Sequence, residues 1–365
     1  MALGEVNSNG DARPSKRRRE GLPEKMKALQ YSGPEKFAVV EIDVPTIGDD
    51  DVLVKISACG VCGTDLHYHK GEFLAKWPLI PGHEAAGTIA AIGKSVSNVS
   101  IGDRVTADPL QPCLSCFHCT RRKPLLCESI TAFGGNVPGG FAEYCRYPAR
   151  QVHPIGVLPD LEAVLIEPAA CATHGIERMQ LEVGSRVLLF GCGPTGILLA
   201  QLIRLNGAAH LTIASKAGPK LDLAKRLDIA DDYITISDSH PDTDLSALHT
   251  ANLYGFDIVV EATGAPTVLE NAINFVRKGG KLVVYGVYDD KVKIAWSPFK
   301  IWENEITVIA SFCSVQHMPH VLEYIKAKKL RLDGIVDRTF KIEEWKECMD
   351  VVRRQECVKA AIVFG

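Results

Sequence analysis

The sequence predicts an α/β protein in two parts, a β-rich, barrel-like domain followed by a doubly wound parallel sheet. Three observations carry that reading. The chain has 365 residues, more than one small core organises, so two domains are expected. Over residues 26–166 short apolar stretches are closely spaced and broken by Gly, Pro and Asp, the style of a barrel-like or irregular β domain. Over residues 167–309 apolar strands alternate with helical stretches, which calls for a parallel sheet covered by helices.

Taken in order, "MKALQYSG", "FAVVEIDVP", "DVLVKISACG", "AAGTIAAIG", "DRVTADP" and "GFAEYCRYP" are the strand candidates of the first domain. In the second, "RVLLFGCG" is a strand and "GILLAQLIRLNG" a helix closed by Gly207. "HLTIASK" is a strand, and "PKLDLAKRLD" a helix with Pro219 near its start. "FDIVVEATG" is a strand, "PTVLENAINFVRKGG" a helix and "KLVVYGV" a strand. Residues 310–365 hold a helix, "HMPHVLEYIKAKKL", and a last strand, "KAAIVFG". They are too few for a third domain and are expected to return to the first. Residues 1–25 lack large apolar runs and are expected to form a disordered basic tail.

Bulk properties narrow the function. A net charge of −3 gives no reason to expect a nucleic-acid or membrane partner. The longest apolar run, Val187–Ile203, contains Gly191, Gly193, Pro194 and Gly196 and lies between Arg186 and Arg204, which suits a buried strand–turn–helix better than a membrane span. There are 12 cysteines but no apolar segment near the start that would direct secretion, so a cytoplasmic protein with metal-binding cysteines is expected. Lys16, Arg17, Arg18 and Arg19 read as a solvated basic run rather than a nuclear-import signal, because such short matches are common by chance.

Three sets of residues carry chemistry. Cys113, Cys116, Cys119 and Cys127 form C-x2-C-x2-C-x7-C, and four thiolates so spaced can close around one tetrahedral zinc with no open position, a structural site. His118 lies among them and is read as a surface residue. Cys62, His83, Glu84 and Glu167 are scattered; spacing alone would leave them as core or surface residues. Should they meet, they would leave a coordination position free for a substrate. Gly191, Gly193, Pro194, Thr195 and Gly196 belong to a G-x-G-x-x-G segment that follows a predicted strand and opens a predicted helix, the context of dinucleotide binding.

Together, "GHEAAGTIAAIG", the four-cysteine lobe at 113–127, "GGFAEY", the glycine segment and "VVEATG" resemble the zinc-dependent medium-chain alcohol dehydrogenase family, in the family's order and over residues 26–365. The resemblance implies a GroES-like catalytic domain, a Rossmann cofactor domain and an active site in the cleft between them. It implies Cys62 and His83 as ligands of a catalytic zinc, with Glu84 on or just behind the metal. Asp65 would orient His83, Thr64 and His67 would relay the proton, and Tyr68 would line the substrate pocket. Thr263, Gly286 and Val287 would line the cofactor site. Glu167-Pro168 resembles the polyol branch, with its sorbitol, xylitol and fungal arabinitol dehydrogenases. One departure bears on substrate: Cys313 and Ser314 stand where sorbitol dehydrogenases carry Arg-Tyr, which argues against sorbitol itself.

The expected cofactor follows from one strand end. An acidic residue there would bind the ribose hydroxyls of NAD and repel the 2′-phosphate of NADP. This chain has Ser215 and Lys216, with Lys220 a turn further on, so NADP is expected. The reading at this level is a zinc- and NADP-dependent polyol dehydrogenase, a homo-oligomer of two or four subunits. Rival readings are a secondary alcohol or diol dehydrogenase and a non-catalytic cofactor-binding regulator.

Overall fold

The computed structural model describes residues 21–72 and 76–365. Most of the basic tail, with the Lys16–Arg19 run, lies outside the described residues; of the 1–25 stretch only its end is described, and Lys25 already opens a strand.

Strand Asp51–Gly60 is the centre of the first sheet. Most of its residues are buried, as its Val, Leu and Ile content demands. It pairs antiparallel with Glu84–Ile92, with Tyr144–Pro148 and with Lys359–Val363. The seven-stranded sheet runs from Val336–Phe340 through Lys359–Val363, Asp51–Gly60, Glu84–Ile92 and Arg104–Ala107 to Val152–Pro154, with Tyr144–Pro148 branching from its middle. A hairpin, Lys25–Gly33 with Lys36–Asp43, packs its buried Leu29 and Tyr31 on this core. Tyr31 is fully enclosed, and its hydroxyl accepts the Trp345 indole N–H at 2.7 Å, so the polar atom it buries is partnered.

The second sheet has six strands, all parallel: Arg186–Phe190, His210–Ser215, Asp232–Thr235, Phe256–Glu261, Val276–Val284 and Thr307–Ala310. Numbered along the chain, their spatial order is 3-2-1-4-5-6. Val187, Leu188 and Leu189 on the first strand are fully buried, the sign of a sheet covered on both faces. The order reverses beside that strand, and a ligand crevice forms at such a switch point.

Two expectations need correction. The segment "PTVLENAINFVRKGG" is helical only over Pro266–Ala272; a short turn follows, and the strand begins at Val276. Val276 pairs with Phe256, and Gly279 takes a left-handed φ of 74°, so the Gly-Gly pair belongs to a bent strand rather than a helix. The return to the first sheet starts at Val336, not at residue 310. Helix Met318–Lys326 packs instead on helix Ile166–Met179, and its Met318 and Val321 join Leu330, Leu332 and Ile335 in the core beneath the parallel sheet. Helix Ile166–Met179 escaped the sequence pattern because the middle of its buried face is small, Ala169, Ala170, Ala172, Thr173 and Gly175, with the large Ile166 and Met179 only at its two ends. Among the described residues no helix is long and apolar enough to cross a membrane.

Candidate active site

Cys62 caps helix Gly63–Lys70 immediately after the central strand, and its backbone N–H is held by Asp65 Oδ2 at 2.8 Å. Thr64 and Tyr68 ride on the same short helix; Thr64 Oγ1 is 3.7 Å from Cys62 Sγ. His83 and Glu84 stand where the neighbouring strand begins. The turn before them needs Gly82, whose φ is 93° and whose added Cβ would lie 2.6 Å from the Phe141 nitrogen. Register then sets Glu84 opposite Gly60, where a Cβ would come within 2.0 Å of Glu84 Oε2. The result is that one donor atom each from Cys62, His83 and Glu84 lie within 4.8 Å of one another.

The charges around this triad are buried and incompletely satisfied. Asp65 Oδ1 is 4.0 Å from His83 Nδ1 and has no hydrogen-bond partner. Burial pushes the Asp65 carboxyl up to about 6. A thiolate, an imidazole and a carboxylate, with an orphaned carboxylate oxygen beside them, form a donor set that suits zinc with an open position.

One member was missed by sequence reasoning. Lys359, on the last strand, puts Nζ 2.9 Å from Glu84 Oε1, 2.6 Å from Oε2 and 3.2 Å from the Val61 carbonyl oxygen, which accepts a hydrogen bond from it. The two side chains are 3% and 1% exposed. The only signal in the sequence was a single cation in the otherwise apolar "KAAIVFG".

Glu167 sits in the first turn of helix Ile166–Met179, where its Oε1 accepts the Cys171 thiol at 3.3 Å. Burial pushes its carboxyl up to about 7 against the pull of His83. It lies outside the compact triad but lines the same cleft, a cavity of about 340 Å³. The first part of the chain contributes Cys62, Thr64, Tyr68, His83 and Glu84 to its lining, and the part that holds the parallel sheet contributes Thr195, Tyr285, Gly286 and Val287. Cys313 also lines it. Ser314 does not: its hydroxyl is 3.0 Å from His317 Nδ1. Ser311 lines the cleft with a buried hydroxyl that has no hydrogen-bond partner, a second residue not found from sequence. His67 is not part of the lining; its Nδ1 is 2.9 Å from Glu72 Oε2.

The glycine segment has the backbone geometry that a dinucleotide cradle requires. Gly191 has φ 95°, and a Cβ there would meet Thr263 Cγ2 at 2.8 Å. Gly196 lets the helix approach, since a Cβ would lie 2.4 Å from the Gly191 carbonyl oxygen. Gly193 faces open space, with nothing within 4 Å of a built Cβ, which leaves room for a pyrophosphate at the start of helix Pro194–Leu205. Thr263 is fixed by Glu261 Oε1, which accepts both its N–H and its hydroxyl. Ser215 ends its strand half-buried beside Cys192 of the glycine loop. Lys216 is exposed and 2.5 Å from Asp238 Oδ1. Lys220 is partly enclosed, and burial lowers its pKa.

Far from the cleft in sequence logic, the four-cysteine lobe gathers its sulfurs within 4.8 Å. Cys127 Sγ accepts the backbone N–H groups of Cys113 at 3.2 Å and Ser129 at 3.4 Å, and Cys113 Sγ accepts that of Cys116 at 3.3 Å. Such donors stabilise thiolates. No disulfide forms among the described residues. His118 is half-buried against Phe117 rather than fully on the surface, and it is not one of the gathered donors.

The comparisons agree with this architecture. The alcohol dehydrogenase GroES-like domain family matches residues 48–160, and the zinc-binding dehydrogenase family matches residues 194–327. D-arabinitol dehydrogenase 1 of Uromyces fabae is 46% identical over 341 residues, covering 93% of this chain and 98% of that protein. Sorbitol dehydrogenase of Bacillus subtilis (strain 168) is 29% identical over 352 residues, again 93% of this chain and 98% of that one. An NADP-bound structure from Sinorhizobium meliloti 1021, described as a zinc-binding dehydrogenase, has a TM-score of 0.85 at 28% identity, covering 94% of this chain and 100% of that one. These matches run through both domains and across the cleft. The chain therefore belongs to the zinc-binding, medium-chain alcohol dehydrogenase family, oxidoreductases that work with a nicotinamide cofactor.

Proposed function

We propose that this chain is an NADP-linked, zinc-dependent dehydrogenase that interconverts a sugar alcohol and its ketose. The observation that carries the reading is the convergence of Cys62, His83 and Glu84 in a cleft that Thr195, Gly286 and Val287 also line. Cys62 and His83 would hold the metal with a carboxylate from Glu84 or Glu167. Zinc supplies positive charge that favours loss of the alcohol proton, and the dinucleotide supplies the hydride chemistry. Asp65 would hold the orientation of His83. Thr64 Oγ1 would accept a hydrogen bond from the substrate hydroxyl and release its own proton as it takes that one, so that it stays neutral, and His67, outside the cleft lining and bonded to Glu72, would be the exit to solvent.

A polyol brings several hydroxyls to such a cleft. The Tyr68 phenol and the unpartnered Ser311 hydroxyl are suited to receive them. With Cys313 in the lining and Ser314 turned to His317, a five-carbon polyol suits the cleft better than sorbitol. The relatives named for D-arabinitol and sorbitol support the class.

The NADP reading rests on Ser215, Lys216 and Lys220 at the strand end, where the strand closes on a hydroxyl followed by a cation instead of on a carboxylate. The Lys216–Asp238 pair is exposed, and such pairs contribute about 0–1 kcal/mol, so a phosphate can replace Asp238. Self-association is supported by the free edge of the parallel sheet at Thr307–Ala310, flanked by exposed Phe299 and Trp302.

The test is initial rate with NADP⁺ and NAD⁺ across arabinitol, xylitol, sorbitol, mannitol and 2,3-butanediol. The expected result is a polyol oxidised with NADP⁺ and no turnover in verified metal-free protein. Activity confined to the diol, or a preference for NAD⁺, overturns the corresponding half of the reading.

A further inference from the structure

Outside the cleft and the cysteine lobe, one more set of side chains that could hold a metal converges among the described residues. His174 and Glu177 lie three residues apart on helix Ile166–Met179, so they share a face. His317 comes from the residue that precedes helix Met318–Lys326. One donor atom from each of the three lies within 4.8 Å of the others. His317 Nε2 is 3.0 Å from Glu177 Oε2, and the His174 and His317 rings are 5.1 Å apart between centroids.

Two details distinguish this set from a surface ion pair. His174 Nδ1 is buried and has no hydrogen-bond partner. A single Glu177–His317 contact would explain two of the three residues and leave that nitrogen orphaned, at a cost. His317 is also oriented from behind, because its other nitrogen is 3.0 Å from Ser314 Oγ. An imidazole fixed through its second nitrogen is the usual arrangement of a metal-bound histidine. Glu177 is half open to solvent, which gives an ion a way in and leaves room for water.

We propose that His174, Glu177 and His317 form a third cation site, for a zinc-class divalent transition metal held by two imidazoles and one carboxylate. The site joins two elements that matter to the cleft. Helix Ile166–Met179 carries Glu167 in its first turn. The segment that ends at His317 carries Ser311 and Cys313 in the cleft lining, and its Gln316 N–H donates to Asp108 Oδ2 of the first domain at 3.2 Å. A metal here therefore ties the cofactor domain's helix to the segment that touches both the substrate space and the opposite domain.

The test uses the full chain as isolated, dialysed against graded ZnCl₂, with metal per chain read by mass spectrometry. Wild type is compared with Glu177→Ala and His317→Asn. Glu177 is exposed on a helix, where alanine is well tolerated, and the amide introduced by His317→Asn can still bond Ser314, so neither change threatens folding. The expected result is one more zinc in wild type than in either variant, or binding of that zinc weakened at least about tenfold, the minimum seen when even an outer-shell partner is lost. The zinc-dependent rise in melting temperature should be larger in wild type than in either variant, because the cleft and the cysteine lobe are the same in all three proteins. Equal zinc content and equal melting shifts in all three proteins would reduce the cluster to an ion pair and overturn the proposal. The readout is a difference between proteins, so it stands apart from whether the cleft binds zinc.

Discussion

The four-cysteine lobe and the cleft are two ways of gathering metal donors, and they differ in what supports them. The lobe takes its four donors from one short stretch, Cys113 to Cys127, and the sulfurs are held by backbone N–H groups of close sequence neighbours. The cleft takes Cys62 from a helix cap, His83 and Glu84 from a strand start, Glu167 from a helix of the other half and Lys359 from the last strand. A local turn organises the first; the whole fold organises the second. A site of the first kind is expected to govern stability, and a site of the second kind to govern rate.

The sharpest way to break that contrast is Cys127→Ser, which removes the buried sulfur that accepts two backbone N–H groups. Structural zinc contributes on the order of 10 kcal/mol in isolated zinc peptides, comparable with the stability of a whole domain. The variant should lose one zinc per chain and melt far below wild type. An unchanged melting curve would remove the structural role.

Thr64→Val tests the other side. Its melting temperature should stay within a degree or so, because a surface-like isosteric change costs little. Its kcat should fall by about 10²–10⁴-fold, the usual share of a positioned proton acceptor. A normal kcat would remove Thr64 from the relay.

Lys359→Met joins the two readouts. It leaves Glu84 buried without its counter-charge, which should cost the metal-free protein roughly 3–5 kcal/mol. Added zinc supplies positive charge nearby, so part of the loss should return on loading. Melting curves with and without a chelator measure both; equal curves for metal-free wild type and variant would show that the ion pair is worth nothing. The smallest effect is expected for Ser215→Asp, a shift in the NADP/NAD ratio of kcat/KM toward NAD by about 10–100-fold, the equivalent of one charge-assisted hydrogen bond. A constant ratio would detach Ser215 from the ribose.

The same contrast explains what could be read from the chain. The lobe, the glycine segment and the strand–helix alternation of the parallel sheet are local patterns, and they were legible. Cys62, His83, Glu84 and Glu167 had no such pattern; spacing alone left them as ordinary core or surface residues, and only the family resemblance joined them. Lys359 was invisible because its partner is fixed by strand pairing across nearly the whole chain, Ala361 to Gly60. Helix Ile166–Met179 was hidden by its small buried residues, which pack closely without an obvious apolar stripe. The helical pattern of Met318–Lys326 is legible in the sequence, but its packing on helix Ile166–Met179 is a tertiary fact. The Ser311 hydroxyl offered no signal, since an unpartnered polar atom exists only relative to its surroundings.

The pairing of Ala361 with Gly60 also has a consequence in time. The central strand of the first sheet leaves the ribosome roughly three hundred residues before the strand that carries Lys359. At about 5–20 residues per second, that is a wait of about 15–60 s. For roughly the last 230 residues of that interval the cysteine lobe has all four sulfurs in the emerged chain and could take up a metal ion, while Glu84 has no ammonium beside it. The cleft thus acquires its full set of charges only after the parallel sheet has been made, which makes its assembly a late event that reports on the folding of both halves.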